Sequence, residues 1–290
     1  MTSLTDVRGI RVGHWTDERA RTGCTVVLVE GLAAGGVDVR GGAPGTIGTD
    51  SLGPLARVQG PNAVLLTGGS SYGLAAAAGV MRWHEERGLG LRLGASIVPI
   101  IAGAVIFDLR VGDPSVRPGP DAGYAACEAA LSDEAREGAI GAGTGASVGK
   151  RDGSQRQGGL GTASARAGAW TVGALFIVNA VGDVVDEHGQ LIASPTQRTR
   201  GALAPGESTV IGVVATDARL SKGQANVLAR MAHDGIARAV RPSHTTMDGD
   251  TIFAIATGQE GDADLDVLGA AAQTVSAEAI RRAIRRVGGS

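Results

Sequence analysis

Glycine constrains this chain more than any other residue: there are 47, against an aromatic content of only 3%. No collagen-like period orders them, so they read as tight turns and close backbone approaches. With so few rings, the cores must be built from Val, Ile, Leu and Ala. A chain of 290 residues is long enough to bury such a core without disulfides or metal. Cys24 and Cys127 each lie inside an apolar segment and read as two buried thiols rather than a disulfide.

Strands and helices are both expected. Cys24–Glu30, Ala63–Thr67, Trp170–Val178, Val210–Thr216 and Thr251–Ala256 read as strands. Residues 71–87 read as a helix stopped by Gly88, and Asp121 as the cap of a short helix through Leu131. Ser221 opens a longer helix with Val227, Leu228, Met231, Ile236 and Val240 on its apolar face and His233 on its surface. A final helix covers 263–287. Val98–Leu109 is apolar and reads as extended around Pro99, while 138–162 and 187–207 read as loops. This mixture predicts a layered α/β or α+β fold.

Charge excludes some functions. The net charge is −2 with no basic block. The cluster Arg281, Arg282, Arg285 and Arg286 ends a helix, where cations offset the dipole, and few aromatics are available to stack on bases. Nucleic-acid binding is not expected. The N-terminus has no apolar signal core and no run spans a membrane, so a cytoplasmic protein is expected. The five histidines form no spaced ligand pair and there is no CxxC, so neither a metal nor a cofactor is expected. Gly141–Ala146 resembles a dinucleotide loop, but the loop-like run after Lys150 replaces the helix that such a loop needs.

Two nucleophiles compete. Gly69-Ser70-Ser71-Tyr72-Gly73 fits the G-x-S-x-G elbow, with Asp217 or Asp234 and His244 as partners in chain order. An ordinary capped turn is the plainer reading. Thr209 stands where the loop Pro205-Gly-Glu-Ser208 runs into an apolar strand. That is where a hydroxyl on a rigid strand follows a breakable bond. Taken alone, it is also an ordinary β-branched strand residue. Asp248 and Asp250, two apart in an extended segment, share a face.

Several segments together resemble the L-aminopeptidase/D-Ala-esterase (DmpA-like) family, which includes β-peptidyl aminopeptidases and nylon-oligomer endo-hydrolases. They are Arg40–Thr46, Leu66–Gly73, Val105–Leu109, Gly141–Ala146, Val178-Asn179, Thr209–Asp217 and Met247–Gly258, in the family's order. The resemblance implies a four-layer α-β-β-α sandwich, also seen in ornithine acetyltransferase-like proteins. It implies one domain that cleaves itself into 1–208 and 209–290, with Thr209 as nucleophile after Ser208. Lys150, Asn179, Asp248 and Asp250 match active-site positions, and Ser70 and Tyr72 are the expected substrate-binding residues. Relatives often carry Gly or Asn where this chain has Ser208. The expected substrates are short peptides or related amides, polyamide oligomers included, cut by a homo-oligomer of processed protomers. A Ser71 esterase and an uncleaved small-molecule-binding protein of the same fold are the alternatives.

Overall fold

The computed structural model describes residues 2–151, 155–197 and 206–289. Its main elements, in chain order, are β1 (Ile10–Asp17), β2 (Thr22–Val29), β3 (Ala34–Val39), β4 (Thr46–Ile47), β5 (Ala63–Thr67), α1 (Ala76–Glu85), β6 (Ile101–Val105), α2 (Pro120–Glu128), β7 (Gly159–Ala167), β8 (Trp170–Asn179), β9 (Thr209–Thr216), α3 (Lys222–Ala239), β10 (Thr251–Ala256) and α4 (Leu265–Gly288). The strands form two five-stranded sheets, ordered β1-β2-β5-β6-β4 and β7-β8-β9-β10-β3. Each holds one parallel pair, β5 with β6 and β9 with β10, among antiparallel neighbours.

Three buried clusters make this a four-layer α-β-β-α sandwich. One lies between the first sheet and α1 and α2, with Val26, Leu65, Val80 and Trp83. A second lies between the sheets, with Leu66, Ile177, Ile211 and Phe253. The third joins the second sheet to α3 and α4 through Phe176, Val214, Leu228 and Ile280. Glycine works here as close approach. A Cβ on Gly161 would stand 2.0 Å from the Ala279 carbonyl oxygen, and one on Gly13 2.0 Å from that of Ala126. The bare strands therefore let α4 and α2 settle onto the sheets, which a chain poor in large side chains needs for dense packing.

Most expected elements are present within a few residues, and Ala63–Thr67 and Thr251–Ala256 match at both ends. Ser221 caps α3 as a capping box with Gln224. Four expectations need correction. The Gly-rich stretch 138–162 is not all loop, because β7 begins at Gly159 and pairs with β8. His233 is fully buried rather than on the helix surface, with Nε2 3.1 Å from the Asp38 carbonyl oxygen. Small residues make up most of the rest of the inner face of α3, so a ring fits there. Val227 is exposed instead, and Val240 lies just past the helix end. Cys24 and Cys127 are both free and buried, and burial pushes the Cys127 thiol up to about 12. No helix among the described residues is long and apolar enough to cross a membrane. The terminal arginines mostly tie α4 down: Arg282 pairs with Glu137 at 3.0 Å and Arg281 donates to the Val185 carbonyl oxygen.

Candidate active site

Sheet topology assembles the site. β9 is central, antiparallel to β8 and parallel to β10. Its first residue, Thr209, is therefore paired with Asn179, the last residue of β8. A parallel neighbour starts at the same end of the sheet, so the residues just before β10 lie beside those just before β9. Ser208 bridges Asp248 in this way. Residues remote in sequence thus meet at one sheet edge.

The carbonyl of Ser208 is the centre of the arrangement. Thr209 Oγ1 donates to its oxygen at 2.5 Å, and the Gly249 N–H donates to the same oxygen at 3.0 Å. The hydroxyl is thus held against the carbonyl it would attack, with a backbone donor already placed on the oxygen where charge would develop. Gly249 can take this position only as glycine: a Cβ would stand 2.4 Å from the Ala43 carbonyl oxygen. Ala43 in turn donates its N–H to the Asp248 carbonyl oxygen at 2.9 Å, so the segment Arg40–Thr46 buttresses this turn.

Lys150 is buried beside it. Its ammonium lies 2.8 Å from the Glu207 carbonyl oxygen, 2.9 Å from Asn179 Oδ1, 3.1 Å from the Asn179 carbonyl oxygen and 3.2 Å from Ser208 Oγ. Burial lowers its pKa to about 7, against the raising effect of Asp248, Glu207 and Asp108. Four oxygens surround three ammonium protons, and a neutral amine would instead offer a lone pair to the Ser208 hydroxyl. Asn179 is fixed on both sides: Oδ1 accepts from the Ser147 N–H at 3.0 Å, and Nδ2 donates to the Glu207 carbonyl oxygen at 3.3 Å.

Asp250 acts on the backbone just after Thr209, and Asp248 braces the turn that faces Ser208. Asp250 Oδ1 accepts from the Val210 N–H at 2.7 Å, and its Oδ2 lies 2.7 Å from His244 Nδ1. Burial raises the Asp250 pKa, while the His244 contact opposes the rise. His244 has a left-handed backbone (φ 54), a conformation costly for a side-chain-bearing residue, and its N–H also bonds Asp250. Asp248 Oδ2 accepts from the Thr245 N–H and hydroxyl at 2.9 and 2.6 Å, and its Oδ1 from the Val181 N–H.

Lys150, Asn179, Ser208, Thr209, Asp248 and Asp250 are therefore together. Ser70 and Tyr72 are not among the residues lining the cavity at Lys150. Ser70 donates its N–H to the Ile106 carbonyl oxygen, and the Tyr72 ring is 63% exposed under Arg117. The Ser71 elbow is not assembled either. Ser71 is exposed, Asp217 accepts from the Thr171 N–H, Asp234 from Gln273, and His244 belongs to Asp250. The bond after Ser208 is buried, with Ser208 at 0% exposure, although it follows the 187–207 stretch that reads as a loop; the part of that stretch from 198 to 205, Pro205 included, lies outside the described residues. A protease in solution has no access to such a bond, whereas the adjoining hydroxyl does.

Sequence reading missed Gly249 and Arg110, which pairs with Glu207 at 2.5 Å, and assigned His244 to the Ser71 elbow instead of to Asp250. A backbone donor has no side-chain signature, although its place between Asp248 and Asp250 was a signal. It also missed Asp108, buried just past β6, whose carboxylate holds the Gly69 N–H in the turn after β5 and the Thr22 hydroxyl, both at 2.7 Å; burial raises its pKa to about 6. No group of three or more His, Cys, Asp or Glu able to hold a metal exists among the described residues.

The four-layer arrangement of two sheets between helices is that of the N-terminal-nucleophile (Ntn) hydrolase fold. The structure of L-aminopeptidase D-Ala-esterase/amidase from Ochrobactrum anthropi, described as a variant among the Ntn hydrolase fold, is similar with a TM-score of 0.77 at 23% identity, over 97% of this chain and 85% of that one. A Burkholderia sp. β-aminopeptidase structure gives 0.75 at 24%, over 97% and 86%. The model of peptidase family S58 matches residues 2–287, and the chain belongs to that family: it is a hydrolase of peptide or amide bonds. An uncharacterised aminopeptidase of Mycobacterium tuberculosis is 47% identical over 89% of this chain and 82% of its own length. A 6-aminohexanoate-oligomer endohydrolase of Paenarthrobacter ureafaciens is 32% identical over 88% and 74%.

Proposed function

We propose that the chain matures by cutting itself between Ser208 and Thr209 and then works as an aminopeptidase-like amidohydrolase through Thr209. The observation that carries this is the shared carbonyl: Thr209 Oγ1 and the Gly249 N–H both sit on the Ser208 oxygen. The Thr209 oxygen attacks the Ser208 carbonyl carbon, and the acyl group moves from nitrogen to oxygen. Water then cleaves the ester, leaving a carboxylate on Ser208 and a free amine on Thr209. Before that amine exists, Lys150 is the base; with a pKa of about 7 it is about half neutral at neutral pH.

In the mature enzyme the α-amine, with an ordinary pKa of about 7.7–8.0, becomes the base for its own hydroxyl. The remaining charge on Lys150 favours its neutral form. Thr209 attacks the substrate amide, the leaving amine takes the proton, and water releases the acyl group. Gly249 N–H and Asn179 Nδ2 serve as oxyanion donors, Asp250 holds the backbone that carries Thr209, and Asp248 holds the turn that carries Gly249. Substrates are short peptides or related amides, as the names of the relatives suggest. Denaturing mass spectrometry tests this: wild type gives two fragments meeting at Ser208/Thr209, and Thr209→Ala gives one intact, inert chain. An intact wild-type chain that still hydrolyses amides would refute it.

A further inference from the structure

Two costs meet at His244, in the turn that leads into β10. Its backbone is left-handed at φ 54, an uncommon conformation for any residue with a side chain. Its Nε2 is buried with no hydrogen-bond partner among the described residues. Behind it stands His233, whose ring lies edge-on with centroids 4.9 Å apart. Burial lowers the His233 pKa to about 3, so His244 packs against a neutral ring. What this strained placement achieves is a double contact with one oxygen. The ring Nδ1 at 2.7 Å and the backbone N–H at 3.2 Å both meet Asp250 Oδ2. Facing a carboxylate, Nδ1 carries the proton.

Asp250 passes that contact on to the reacting groups. With Oδ2 held from one side, Oδ1 stays on the Val210 N–H at 2.7 Å, the peptide group next to Thr209. By reaching back from 250 to 244, the same carboxylate closes the turn that carries Gly249. Asp248 closes the inner part of that turn by accepting from the Thr245 N–H at 2.9 Å. The Thr209 hydroxyl and the Gly249 N–H, which meet on the Ser208 oxygen, are thus both tied to one carboxylate. We infer that His244 is a positioning residue for the hydrolysis: it fixes the orientation of Asp250, and through it the spacing between nucleophile and oxyanion donor. This rests on Thr209 being the nucleophile. His244 acts through Asp250 and not on the substrate.

The test compares substitutions that separate backbone from side chain in the processed enzyme. Gly and Asn both accept a left-handed backbone, but only Asn puts an N–H on the atom that Nδ1 occupies in His. His244→Gly should lower kcat for a short peptide amide about 10- to 100-fold and leave KM nearly unchanged, the loss that a small misplacement of reacting groups gives. His244→Asn should recover most of that loss. Should His244→Gly not fold, His244→Asp takes its place, since Asp also accepts this backbone but offers Asp250 no donor when ionised. Where a variant matures slowly, the rate of cleavage at Ser208/Thr209 in the purified precursor, read by electrophoresis, should follow the same order. A donor-less variant as fast as wild type, or an Asn variant no faster than the donor-less one, overturns the role of His244 alone. A wild-type chain that stays uncut and still hydrolyses the amide overturns the Thr209 reading beneath it as well.

Discussion

Lys150 offers the sharpest test of the site's electrostatics. A buried lysine with a pKa of about 7 instead of 10.5 holds its charge at a cost of about 5 kcal/mol relative to water, taking 1.36 kcal/mol per unit. Below pH 7 the lysine is charged in both the folded and unfolded chain, and proton binding does not differ. Between about 7 and 10.5 the unfolded chain carries the proton and the folded one does not, so folding stability rises with pH. The perturbation is Lys150→Met in a Thr209→Ala background, which keeps both proteins as single chains. From pH 8 to 10 the lysine form should gain about 3 kcal/mol on the methionine form, two pH units at nearly full slope. Urea unfolding at several pH values measures the difference, and groups common to both chains cancel. The window lies above the Asp108 pKa of about 6, which keeps that neighbour ionised in the lysine form. With Thr209 restored, the self-cleavage rate should climb as pH passes about 7 and then level off. A stability difference flat from pH 8 to 10 would show that Lys150 stays charged, and the base assignment would fail with it.

Three further outcomes are expected. Asn179→Ala strips Lys150 and the Ser147 N–H of a partner and removes a proposed oxyanion donor of the mature enzyme; amide hydrolysis by the processed protein should slow about 10²- to 10³-fold in a steady-state assay. Gly161→Ala puts a methyl group against the Ala279 carbonyl and should lower stability by about 1–3 kcal/mol in chemical denaturation, with cleavage intact once folded. Cys24 and Cys127, buried and with their thiol pKa values raised by burial, should resist a thiol reagent at pH 8 until denaturant is added; rapid labelling of the native protein would contradict their placement.

Much of the fold was legible because its signals are local. Apolar runs marked β5, β8, β9 and β10, and Ser221 marked the start of α3. β7 was not legible, since Gly-Leu-Gly-Thr-Ala-Ser resembles a loop until α4 is laid across it. His233 read as a surface residue because a helix pattern does not show which small neighbours leave room for a ring. Among site residues, Thr209, Asn179, Lys150, Asp248 and Asp250 stood in motifs. Arg110 did not, and His244 stood only in the elbow reading, because their roles depend on partners far away or on backbone geometry.

By itself the sequence determined the layered class, the aliphatic cores and a hydroxyl where a loop enters a strand. Tertiary structure alone decided what that hydroxyl touches. The parallel pairing of β9 with β10 brings the Gly249 N–H to the Ser208 carbonyl. Burial gives Lys150 a pKa of about 7, and Arg110 closes on Glu207. Hydrogen bonding, desolvation and ion pairing all depend on distances between residues remote in the chain, which local sequence pattern does not encode.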